Sequence, residues 1–224
     1  MSITQTERTQ ALFEQARAQI RSLEARGVWI EGNGFSPLLL VKGEFTAGNT
    51  CHTSLLETRE DAALRAALTR LGWAPEDFCV LGTRTLSREK TDECSDLNQD
   101  TTLDAGAYAS SSAPHTSDTA LSYTHQLGTT LAPEVFCEAI EALDPEAILL
   151  LDVPATELMR EAYMDVLVDI ENFETAMLEP GYVASVLGRR VLALGDFAAS
   201  LADSAKKQLV WSYLKKLAPL GSPY

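Results

Sequence analysis

Gly43, Glu44 and Phe45 stand together just after the apolar run Leu38–Val41, and Asp196 follows Gly195 after a second such run, Val191–Leu194. At a strand end, a glycine lets backbone approach a ligand, a carboxylate can assist a water molecule, and an aromatic ring gives a flat stacking surface. These residues also have structural uses: a strand-end Glu can bind nearby N–H groups, and a Phe after a strand can fill core. Glu44 is the candidate catalytic group, and Gly43, Phe45 and Asp196 are the candidate ligand contacts. His52 lies shortly beyond Glu44, within reach of the same region, whereas His115 and His125 fall in a low-complexity stretch. Cys51, Cys79, Cys94 and Cys137 are scattered, without a Cys-x-x-Cys or Cys/His pair at ligand spacing. No metal is expected, and free thiols fit a reducing cytoplasm. No nucleophile elbow, P-loop or dinucleotide fingerprint is present, and no cofactor is expected.

The elements that must position these residues follow from hydrophobic period. Residues 6–27 carry Ala11, Leu12, Ala16, Ile20 and Leu23 at helical spacing, with Gly27 as the stop. Residues 37–42 form a strand, 61–71 an amphipathic helix closed by Gly72, and 78–81 a second strand. Gly32-Asn33-Gly34 reads as a turn. A helix from Pro133 to Leu143 precedes the most apolar strand, Ala147–Val153, and another helix runs through about Val168. Val191–Leu194 is the last strand, and 198–217 a long closing helix. This alternation predicts an α/β fold: a three-layer α/β/α sandwich around a central four-stranded parallel sheet. Ligands of such sheets gather at the carboxyl ends of the strands. The whole chain, 1–224, reads as one domain. Residues 84–129, rich in Ser, Thr, Asp and Gly, read as a disordered insertion or a functional lid.

The formal net charge of −14 disfavours unspecific attraction to nucleic acid or anionic lipid. No apolar run is long enough for a membrane span, and the N-terminus lacks a signal-peptide pattern, so a cytoplasmic location is expected. Residues 131–180 hold many acids against a single base, Arg160. Arg189, Arg190, Lys206, Lys207, Lys215 and Lys216 cluster in sequence and would form a basic patch if they shared a face near Gly195.

With the elements in order, four segments resemble the uracil-DNA glycosylase superfamily, chiefly its iron–sulfur branch. EGNGFSPLLLVKGE is similar to that branch's Gly-rich lead, apolar strand and Gly-Glu opening of the first catalytic motif. DAALRAALTRLGWAPEDFCVLGT, LDPEAILLLDVPATELM and GRRVLALGDFAASLADSAKKQLVWSYLKKL resemble the helix and second strand, the third strand with its helix start, and the last strand with second motif and final helix. The resemblance covers about residues 25–83 and 131–218. It implies a glycosylase-like sandwich and a role in DNA repair or replication, with DNA or a repair or replication protein as partner. In the chemistry it implies, Glu44, which matches the motif, could assist a water, and Phe45, which does not, could stack a flipped base.

The departures bear on activity. Phe45, Thr46 and Ala47 stand where the first motif continues to Pro-Gly, and Gly195-Asp196-Phe197-Ala198 stands where the second presents His-Pro-Ser. The cluster cysteines are missing from residues 1–30. An ionised Asp196 would oppose a departing uracil anion, which needs donors. Three functions therefore stand open. One is a divergent glycosylase. The second is a non-catalytic interaction module resembling the psi subunit of the bacterial clamp loader, whose closing Lys-x-x-x-Trp segment is similar to KKQLVWSYLKKL. The third is a flavodoxin-like small-molecule binder.

Overall fold

A computed structural model describes residues 5–45, 54–88 and 125–219. In chain order the elements are α1 (Gln5–Ala25), β1 (Val28–Gly32), β2 (Leu38–Lys42), α2 (Thr58–Arg70), β3 (Phe78–Arg88), β4 (His125–Thr130) and α3 (Pro133–Leu143). There follow β5 (Ala147–Leu150), α4 (Val153–Ala162), α5 (Met164–Leu167), α6 (Phe173–Ala176), β6 (Val183–Val186), β7 (Arg189–Ala193), α7 (Phe197–Ser200) and α8 (Ser204–Leu214). A 3₁₀ turn, Lys215–Leu217, closes the last helix.

The strands form one mixed sheet of seven, in the order β1-β3-β2-β5-β7-β6, with β4 also on β3. β3, β2, β5 and β7 run parallel, while β1, β4 and β6 pair antiparallel. The expected four-stranded parallel sheet is thus too small a description, because three antiparallel strands widen it. β1 (VWIEG) and β6 (VASV) are short and mix apolar with polar residues, so neither gives the continuous run of a strand buried on both faces.

Both faces of the sheet are covered. Leu39, Val41, Cys79, Leu81, Ile148 and Leu150 pack with residues of α1, α3 and α4 in one core. Their alternates Leu38, Leu40, Phe78, Val80 and Leu149 pack with α2, α7 and α8 in the other. Period-two alternation with both sets buried explains why β2 and β5 read as unbroken apolar runs.

Several expected boundaries shift. β3 continues to Arg88 and pairs there with β4, Arg88 opposite His125. Both ends of the stretch read as a disordered insertion, 84–88 and 125–129, are therefore strand, and residues 89–124 lie outside the described residues. The stripe on α1 is buried only toward its end: Leu23 is buried, whereas Leu12 is 66 % exposed. The helix expected through Val168 breaks at Tyr163, where φ is −119°. The long closing helix is also split. Asp196 caps α7, the chain turns at Leu201–Asp203, and Asp203 caps α8 by accepting from the Ala205 N–H at 2.8 Å. Side-chain oxygens that accept from the first turn are what start a helix anew.

Candidate functional site

β2 connects to β3 on one side and borders β5 on the other, so the crossovers diverge at the gap between β2 and β5. In open α/β sheets such a switch point leaves a crevice beyond the strand ends. A cleft of about 370 Å³ lies at this end of the sheet, lined by Lys42, Glu44, Phe45, Glu57, Glu60 and Asp152, together with Asp196. Three residues singled out from sequence, Glu44, Phe45 and Asp196, are thus brought to one cleft, and Gly43 sits beside it.

Gly43 is held where no side chain fits. A Cβ there would lie 2.7 Å from Thr83 Oγ1 and 2.9 Å from the Ala155 nitrogen. The close approach lets its N–H reach Asp152, the residue at the end of the β5 segment. The Gly43 N–H donates to Asp152 Oδ1 and Oδ2 at 3.1 and 2.9 Å, and the Glu44 N–H to Oδ2 at 2.8 Å. The Ala155 N–H, in the first turn of α4, donates to Oδ1 at 2.9 Å. One buried carboxylate therefore caps α4 and clamps the end of β2.

Glu44 itself is exposed, its backbone committed to Asp152 and its side chain toward the cleft. Phe45 is half-buried and stacks on Trp29, ring centroids 6.2 Å apart and planes 8° from parallel. Asp196 is exposed at the cap of α7, where its Oδ1 accepts from the Ala199 N–H at 2.9 Å. Lys42 and Glu60 form a buried ion pair, with side chains 7 % and 4 % exposed. Glu60 also accepts from the Glu57 N–H at 3.0 Å, closing the start of α2. The cleft thus collects five carboxylates against one ammonium, and that ammonium is neutralised.

Sequence reasoning placed Asp152 at a strand end without selecting it as a ligand contact, and passed over Lys42 and Glu60. The signal for Asp152 was its place before Val153-Pro154, where an Asp caps a helix with Pro in its first turn. Its contact with Gly43 is not visible in sequence order.

No protein-family model matches this chain, and no curated protein matches it significantly.

The remaining candidates lie elsewhere. His52 and His115 fall outside the described residues, as do Cys51 and Cys94. His125 is in β4, paired with Arg88. Cys79 is buried in the core, and burial pushes its thiol up to about 12, far from thiolate chemistry at neutral pH. Among the described residues no group of three or more His, Cys, Asp or Glu is arranged to hold a metal ion. No described helix is long and apolar enough to cross a membrane.

The basic residues do not all gather near Gly195. Arg189 is at the opposite end of β7, buried and paired with Glu141 and Asp144 at 2.8–2.9 Å. Burial opposes its charge, but these two carboxylates prevail and its pKa is raised. Arg190 donates to the Ala218 carbonyl and Lys216 to that of Gly181. Lys215 lies over the Trp211 ring.

Proposed function

We propose that this chain is a glycosylase-like protein of DNA replication or repair that has lost base excision and works by binding other proteins. In this reading it is architecturally comparable to the clamp-loader psi subunit. The observation that carries the reading is the Asp152 carboxylate, which takes up the N–H groups of Gly43 and Glu44 at the switch point. Base excision needs donors aimed at the departing anion. Here the strand-end donors terminate on the protein's own carboxylate, and the second-motif position carries Asp196, an acceptor. Glu44, Glu57 and Asp196 add negative charge where a base would leave and where phosphates would lie. The parallel order β3-β2-β5-β7 with helices on both faces supports the glycosylase-like sandwich that the sequence resemblance implies.

A divergent excision enzyme is the second reading. It is favoured by one observation, the meeting of Glu44, Phe45 and Asp196 in a single cleft. One pair of measurements decides. Oligonucleotides containing uracil, hypoxanthine or xanthine, incubated with stoichiometric protein, are expected to release no base. Affinity capture with the full chain is expected to return replication or repair proteins. Base release that Glu44→Gln abolishes would favour the enzyme, and capture lacking such partners would remove the DNA-metabolism assignment.

A further inference from the structure

On the sheet face that carries α4, the chain leaves apolar side chains in the open. α4 stops at Tyr163, and α5 and α6 are single turns set at its end. Between them runs a groove of about 660 Å³ lined by Met164, Leu167, Val168, Ile170, Phe173 and Met177. Met164 is 66 %, Val168 76 % and Phe173 71 % exposed, so these side chains fill no core of their own. Met164 and Met177 in its lining let the walls adapt to a guest. Contiguous exposed apolar surface of this kind marks an interaction site rather than ordinary surface scatter.

The rim is predominantly acidic. Glu161 and Glu171 line the groove beside Arg160, the one base between Glu157 and Glu174, and Glu157, Asp165, Asp169 and Glu174 are exposed on the same segment. Nucleic acid and anionic membranes are repelled by such a rim. A second copy of the chain, apposed at the same face, would bring two acidic rims together. No strand lines the groove, so a guest gains no main-chain ladder there. A wide apolar groove with acidic flanks suits helix-in-groove docking, read by anchors at i, i+3, i+4 and i+7.

We propose that this groove docks a basic amphipathic helix of a partner protein, its apolar stripe seated between α4 and α6 and its Lys or Arg flanks against the acidic rim. The inference gives a surface and a partner chemistry to the protein-binding role proposed above, and it rests on that reading.

The test uses the full chain and a labelled peptide of about 16 residues, with Leu at i, i+3, i+4 and i+7 spacing and Lys between. A composition-matched shuffled peptide and a peptide with Glu in place of Lys serve as controls. Fluorescence anisotropy is expected to show the basic amphipathic peptide binding at least about tenfold tighter than either control, and more weakly as salt rises. Val168→Asp and Phe173→Ser are each expected to weaken it about tenfold or more. Both positions are exposed, so folding should survive; the rim double variant Glu161→Lys with Asp165→Lys gives the same readout without touching the groove floor. Equal affinity for the shuffled peptide, or unchanged binding by all these variants, would overturn the proposal. So would sedimentation showing a dimer that Val168→Asp dissociates, since the guest would then be a second copy. Capture of the same replication or repair proteins by wild type and Val168→Asp would remove the groove while leaving the broader reading intact. Peptide binding at the groove without capture of such proteins would do the reverse.

Discussion

Asp152 is only 5 % exposed and accepts from three different N–H groups, so its removal has to be counted in stranded donors. Asp152→Ala is expected to cost about 3 kcal/mol in urea denaturation, most of it from buried N–H groups left unpaired. Asp152→Asn should cost less, because one oxygen still accepts while the amide turns a donor toward its neighbours. The Lys42–Glu60 pair predicts an asymmetry. Glu60→Gln leaves a buried ammonium without its counter-charge and should destabilise by about 3–5 kcal/mol, whereas Lys42→Met with Glu60→Leu should recover most of that. A double-mutant cycle measures it. At this scale the sequence yielded Glu44, Phe45 and Asp196 because they follow apolar strands. Asp152 also follows an apolar strand, but its clamping role escaped because it depends on Gly43, which is distant along the chain and adjacent only through the parallel pairing of β2 with β5.

The β6–β7 hairpin turns on two residues, Leu187 and Gly188, with φ of 49° and 84°. That is the twist a two-residue hairpin needs, yet leucine is poorly suited to a left-handed backbone. Leu187 is 59 % exposed, so little packing recompenses it. Leu187→Asn is expected to stabilise the fold by about 1 kcal/mol, seen as a higher urea midpoint with unchanged slope. The same feature explains why β6 was missed. Val-Leu-Gly-Arg carries no Asn-Gly or Asp-Gly signal, and VASV is too short to announce a strand by itself. The helices that were well placed, such as α3 from Pro133 to Leu143, have explicit punctuation at both ends. Those that were misdrawn, α4–α5 and α7–α8, continue their apolar period across the break. Only cap geometry at Tyr163 and Asp203 reveals the interruption.

Across the molecule, the net charge of −14 and the acidic cleft point the same way, and both disfavour the close approach of phosphates. The sandwich class was legible because β2, β5 and β7 are buried on both faces and therefore read as apolar blocks. The sheet's width was not, because its added strands are short or lie at low-apolar ends of longer ones. β3 and β4 leave the body of the sheet as a paired ribbon, with Arg88 opposite His125. Residues 89–124 connect the two strands of this ribbon. The ribbon also makes the two ends of that span neighbours, whatever lies between them. A foreign domain with adjacent termini, spliced in between Arg88 and His125, would therefore report on the protein in living cells without the scaffold having to accommodate it.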